Sequence, residues 1–312
     1  MLNFRNSKNL ISSDYIKYFS DTKFVSVAYW PERFVVVDQA SSETVFEVKE
    51  HKNTVLIYFN AQFYHFLTDN ISTIISEHKK DKEVHFVITI DRAEIINHYS
   101  YTRFLEVFLK HHNISYDLVD LSKFGNVKIK NFRMYNLANS QTFDDITDNL
   151  REYLKDFIVE KNVIPHRKVY LSRTKVPRHD HKVLFGDDDP NIFMFQDDER
   201  IDDEIKLEQF MKDSGFEIVI PEEIPNFIDQ INFMNEVETL VSLTGSGLMN
   251  MLFMQKNQKV IELTTPLVAI SRLTMHPFYY ISAYTSDILY TSIPHHRKVD
   301  DVIAKLNKFF RT

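Results

Sequence analysis

The chain has 312 residues, 44% of them hydrophobic and 13% aromatic, with a net charge of -7, a pI near 6.0 and no cysteine. Its length accommodates two ordinary domains, and its apolar content supports packed cores and excludes a disordered polymer. The missing cysteines exclude disulfides, thiolate metal sites and cysteine nucleophiles, and the acidic balance argues against broad nucleic-acid binding, which needs a dominant basic surface.

Residues 1–8 lack the apolar core of a signal peptide, and no run approaches the roughly 18 apolar residues of a spanning helix. The default expectation is a cytoplasmic protein with no membrane span. The opening segment reads as a short helix, Asp14–Phe19, followed by β-prone pieces at Phe24–Tyr29, Phe34–Val37, Thr44–Val48 and Thr54–Phe59. From Phe63 to Glu77 apolar residues recur at helical spacing, which places His65 and Asp69 on one face of the first turns. A histidine and a carboxylate beside a strand end suit general-base chemistry; a surface pair or a packed histidine has the same spacing.

Strand Val84–Ile90, helix Tyr101–His112 and strand Tyr116–Val119 continue an alternation that implies a parallel sheet. Val127–Tyr135 reads as one strand carrying Lys128, Lys130 and Arg133, and Asp144–Glu160 as an amphipathic helix. The segment 161–167, broken by Pro165, reads as an interdomain linker.

The second half restarts the alternation. Strand Lys168–Ser172 delivers Arg173, Lys175 and Arg178, cations that can hold a diphosphate or form a solvated basic loop. The runs Asp187–Asp189 and Asp197–Glu199 could bind a hard cation or be solvated loops. Helix Ile205–Lys212, ended by Gly215, precedes strand Phe216–Ile220, helix Pro225–Glu236 and strand Thr239–Leu243.

That last strand runs into Thr244, Gly245, Ser246 and Gly247, then an apolar segment at helical spacing. Only five glycines occur in the chain and two are here, which points to unusual dihedrals or a close ligand. A helix N-terminus after such a turn suits phosphate, although an ordinary βα connection fits as well. Strand Val260–Leu263 places Glu262 near the carboxyl edge where open α/β sheets bind ligands. A helix near Pro277–Tyr284, strand Ile288–Ile293 and helix Val299–Phe310 close the chain.

Several of these pieces together resemble glycosyltransferase family sixty-one. Gln62, His65 and Asp69 match the family's Asn-x-x-His-x-x-x-Asp helix with glutamine in the asparagine's place. Tyr170 to Arg173, Arg200 with Glu204, Gly215 to Val219, Asp229 with Gln230, Thr244 to Asn250 and Val260 to Leu263 follow in order. Where the family usually has His-Gly-Ala-Gly-Leu, this chain has threonine first, at Thr244, and serine third, at Ser246.

The resemblance implies an α/β protein of GT-B architecture, two Rossmann-like domains facing across a cleft, with 1–160 on the acceptor side and 161–312 binding the nucleotide sugar. It implies inverting hexosyl or pentosyl transfer to a glycan, lipid-linked saccharide or protein hydroxyl, with no cofactor and no essential metal. Arg173 would contact the donor diphosphate with Arg178 as helper; Gly245, Ser246 and Gly247 would offer N–H groups; Thr244, Asn250 and Glu262 would line the donor side. Asp69 is the first choice of general base and His65 the second. Three other readings stay open: a hydroxylated DNA base as acceptor, which needs a basic groove built from Lys128, Lys130 and Arg133; a non-catalytic nucleotide- or sugar-binding protein; and a metal-dependent transferase using Asp187 to Asp189.

Overall fold

The computed structural model describes residues 45–47, 49, 51–59, 61–90, 99–120, 126–128, 132–134, 142–159, 162–174, 201–265 and 278–311. The expected elements before Thr44, both acidic runs, and Lys130, Lys175, Arg178 and Arg200 lie outside them. The chain divides into two compact units, Met1–Tyr153 and Leu154–Thr312.

The first unit holds β1 (Val45–Glu47), β2 (Thr54–Tyr58), α1 (Phe63–His65), a π-helical turn Phe66–Ile71 and α2 (Ser72–Lys80). It continues with β3 (His85–Ile90), α3 (Ser100–His111), β4 (Ser115–Asp120), β5 (Asn126–Lys128), β6 (Phe132–Met134) and α4 (Phe143–Leu154). Strands β4-β3-β2-β6 form a parallel sheet, and β1 pairs with β5 separately. Every residue of β3 is buried, the mark of a central strand covered on both faces.

Two expectations for this unit are corrected. The single strand Val127–Tyr135 is two short strands, because β5 pairs with β1 and β6 with β2 in different sheets. Lys128 and Arg133 therefore stand on strands of different sheets. The helix Asp144–Glu160 ends early, at Leu154, and tightens into a 3-10 turn at Lys155–Phe157.

The second unit contains β7 (Arg167–Leu171), α5 (Glu204–Asp213), β8 (Glu217–Val219), α6 (Phe227–Asn235), β9 (Val237–Leu243), β10 (Lys259–Thr264), α7 (Phe278–Thr285), β11 (Leu289–Pro294) and α8 (Val299–Phe310). Asp203 caps α5 by accepting the Lys206 N–H at 2.9 Å. The helix ends where Gly215 turns to φ +85 and the Phe216 N–H bonds the Met211 carbonyl at 3.0 Å. Asn226 caps α6 through the Asp229 N–H.

Five parallel strands run in the order β11-β10-β9-β7-β8. Tyr170, Val241, Leu243, Ile261, Leu263 and Ile293 share one face with Leu207 and Met211 of α5 and Val299, Val302 and Leu306 of α8. Side chains alternate along a strand, so Leu171, Ser242, Glu262 and Ser292, which stand side by side in the register, face the other way. Both sheets are the parallel, helix-covered kind of a Rossmann-like α/β fold.

Candidate functional site

In an open parallel sheet the ligand crevice forms at the carboxyl ends of the two strands from which the winding reverses. In the second unit β8 lies on one side of β7, and β9, β10 and β11 on the other, so that point falls between β7 and β9. Arg173 follows β7 directly and the turn Thr244–Gly247 follows β9. Arg173 and the turn therefore both stand at the carboxyl edge of the sheet, where its winding reverses.

The two segments touch. Arg173 Nη1 donates to the Thr244 carbonyl at 2.8 Å. Gly245 is extended at φ 155 and ψ −179, a region essentially confined to glycine, and a Cβ there would lie 3.2 Å from Arg173 Nη1. In an extended residue the preceding carbonyl and the following N–H lie on the same side of the chain. The Ser246 N–H is thus on the side of the Thr244 carbonyl, where the guanidinium sits, while the Gly245 N–H points the opposite way.

The helix expected after the turn is Ser246–Phe253, and it is of the 3-10 type. A helix of either type begins with N–H groups that have no partner in its own ladder. Among the described residues no backbone acceptor bonds the N–H of Ser246 or Gly247. Side chains brace the turn's remaining carbonyls: Tyr279 Oη donates to the Gly245 carbonyl at 3.1 Å, and Asn250 Nδ2 to the Gly247 carbonyl at 2.8 Å. Asn250 is itself held by Gln230 Nε2 at 2.6 Å. A guanidinium and two N–H dipoles on one side of a braced turn can bind an anion at little reorganisation cost.

Thr244 and Glu262 are both fully buried, at 0% exposure. The carboxylate accepts from Thr244 Oγ1 at 2.8 Å and Ser292 Oγ at 2.9 Å. A buried polar group needs hydrogen-bond partners, and the two hydroxyls are among those of Glu262. Both residues, like buried Asn250, hold the turn from beneath.

Two further carboxylates, Glu204 and Glu208, hold the loop that carries Arg173. Glu204 Oε1 accepts the Arg173 backbone N–H at 2.8 Å and the Tyr170 hydroxyl at 3.3 Å. Glu208 Oε1 accepts from Thr174 Oγ1 at 2.9 Å and from Ser172 Oγ. Burial pushes the Tyr170 phenol well above its ordinary pKa, with the Glu204 and Glu208 charges next in effect, so the hydroxyl remains a donor.

In the first unit the winding reverses between β2 and β6, and β2 leads into α1 with His65. The 2.7 Å contact between His65 Nδ1 and Asp69 Oδ2 joins the two residues that helical spacing had paired. Asp69 Oδ1 accepts from Thr68 Oγ1 at 2.8 Å. The Asp69 side chain is 10% exposed and that of His65 25%. A carboxylate oxygen accepts, so Nδ1 carries the hydrogen and the lone pair of the neutral ring is on Nε2. Asp69 sits in the π-helical turn Phe66–Ile71, a local widening often found at functional positions.

Sequence reasoning missed Glu208, Thr68, Tyr279 and Ser292. Glu208 had a signal, because it stands one helical turn after Glu204. Thr68 is simply the chain neighbour of Asp69, while Tyr279 and Ser292 are ordinary residues until the return of α7 and the sheet register bring them to the site.

No curated protein matches the chain. The family model described as Glycosyltransferase 61 matches residues 63–261, a stretch that includes His65, Asp69, Arg173, Glu204, Glu208 and the whole Thr244–Asn250 turn. The chain belongs to glycosyltransferase family 61 and is a glycosyltransferase.

Proposed function

We propose that the protein is an inverting glycosyltransferase that takes a sugar from a nucleotide sugar to a hydroxyl of a glycan, lipid-linked saccharide or protein. The leaving diphosphate is held by Arg173 and by the Ser246 and Gly247 N–H groups. The supporting observation is the extended Gly245, which puts the guanidinium and the first N–H groups of the 3-10 helix on one side of the turn. Negative charge develops on the departing phosphate, and fixed donors aimed at it lower the barrier. In this reading Gly245 serves by its conformation, Thr244, Asn250 and Glu262 by supporting the turn, and the reaction needs no metal.

The base is His65 through Nε2, with Asp69 orienting the ring and stabilising the imidazolium after it takes the acceptor's proton. Asp69 is the less accessible of the pair and both its oxygens already accept hydrogen bonds. In-line displacement then requires a GT-B arrangement, with the first unit presenting the acceptor to the donor on the second. A thermal-shift screen over UDP-, GDP-, CMP- and dTDP-sugars identifies the donor, since a ligand that prefers the folded state raises its melting point. NMR of the product's anomeric configuration then tests inversion, and activity in excess EDTA tests metal independence. Retention of configuration would remove the single-displacement mechanism, and loss of activity restored only by a divalent ion would remove the metal-free one.

A further inference from the structure

We propose that Glu204, seconded by Glu208, is the positioning residue that aims Arg173 at the donor phosphates; this rests on the reading of Arg173 given above. The chain leaves β7 at Leu171 and would be an unsupported loop from Ser172 onward. Instead each residue of that exit is tied to α5. Glu208 takes the hydroxyls of Ser172 and Thr174, and Glu204 takes the Arg173 N–H at 2.8 Å. Ser172 Oγ also accepts the Thr174 N–H at 3.1 Å, which closes the loop on itself.

The two acids are four residues apart at the start of α5 and present one face to the loop. With backbone fixed on both sides of Arg173, its long side chain reaches across to the Thr244 carbonyl, and fewer rotamers have to be frozen when a phosphate arrives. Glu204 holds Arg173 by its main-chain N–H, and the guanidinium reaches the Thr244 carbonyl.

The test is the ratio of affinities for a nucleoside diphosphate and the matching monophosphate, measured by calorimetry on the full chain with UDP and UMP, GDP and GMP, CDP and CMP, and dTDP and dTMP. The pair that binds wild type best is carried through the variants Glu204→Leu, Glu204→Gln and Arg173→Ala. Glu204→Leu is expected to lower the diphosphate-to-monophosphate ratio about tenfold, roughly the 1.4 kcal/mol that a tenfold change represents. Glu204→Gln keeps an oxygen to accept the Arg173 N–H and is expected to restore the ratio to within about threefold of wild type, about 0.7 kcal/mol on the same scale.

An unchanged ratio in Glu204→Leu overturns the proposal. So does an equal loss for both nucleotides, the signature of a merely structural role. If Arg173→Ala keeps the wild-type ratio, the assignment of Arg173 itself is wrong. A Glu204→Leu chain that does not fold is replaced by the Ser172→Ala/Thr174→Val double variant, which strips Glu208 of both hydroxyl donors and is held to the same outcomes.

Discussion

Replacing Gly245 by alanine attacks the turn at its most constrained point. The residue sits at φ 155 and ψ −179, where an L side chain costs on the order of 1–3 kcal/mol. The added methyl would also stand 3.2 Å from Arg173 Nη1, closer than an ordinary contact. Relief needs the guanidinium to give by a few tenths of an ångström, which disturbs the bond it makes to the Thr244 carbonyl at 2.8 Å. At about 2–4 °C per kcal/mol for a domain of this size, Gly245→Ala should lower Tm by about 2–12 °C, and weaken nucleoside diphosphate binding about tenfold, or about 1.4 kcal/mol. Gly247→Ala is the control: its methyl would meet Leu171 Cδ1 at 3.6 Å and Ser242 Oγ at 3.8 Å, ordinary contacts. Differential scanning calorimetry and titration calorimetry on the two variants give the answer. Equal Tm values and equal affinities for Gly245→Ala and Gly247→Ala would refute the reasoning.

Further outcomes follow from the same geometry. His65→Ala should reduce kcat by about 10²–10⁴-fold and leave nucleotide affinity unchanged, with Asp69→Asn falling less steeply; the reverse order in a steady-state assay makes Asp69 the base. Thr244→Val removes one of the two hydroxyls on buried Glu262 and should cost about 1–3 kcal/mol in urea denaturation, whereas Thr244→Ser should stay near wild type. His295 is fully buried, accepts the Arg297 N–H at 3.0 Å, and burial pulls its pKa down to about 4 from 6.5. Between those values the unfolded chain binds a proton that the folded chain refuses, so stability is complete above about pH 6.5 and falls as the pH drops towards 4. The loss reaches at most about 3 kcal/mol. His295→Asn should flatten that slope in denaturation curves at pH 7 and pH 5, and an unchanged slope would count against the assignment.

Periodicity made the elements legible, and residue type marked the places where chemistry could occur. His65 and Asp69 could be paired from spacing alone because an α-helical turn brings positions four apart together. The π-helical turn that contains Asp69 left no trace, since one widened turn barely disturbs the apolar spacing of Phe66, Leu67 and Ile71. The 3-10 segment after Gly247 was hidden for a related reason: Leu248, Met251 and Met254 recur every third residue, which fits either helix type.

Long-range partnerships were harder to read. Ser292 reaches Glu262 only because β11 lies next to β10 in register, and strand order is set by the whole sheet's packing. Tyr279 arrives at the Gly245 carbonyl from α7. The split of Val127–Tyr135 into β5 and β6 likewise followed from partners elsewhere in the chain, β1 and β2. Local pattern gives a strand its period and leaves its neighbours open.

The central claim is that a diphosphate binds at the end of β7 and β9, against Arg173 and the first N–H groups of the 3-10 helix. A crystal structure of the full chain with its preferred nucleoside diphosphate tests this directly. Phosphate oxygens within hydrogen-bond distance of the Arg173 guanidinium and of the Ser246 and Gly247 N–H groups are the expected result. A diphosphate held elsewhere, with Arg173 still turned only to the Thr244 carbonyl, would contradict the account.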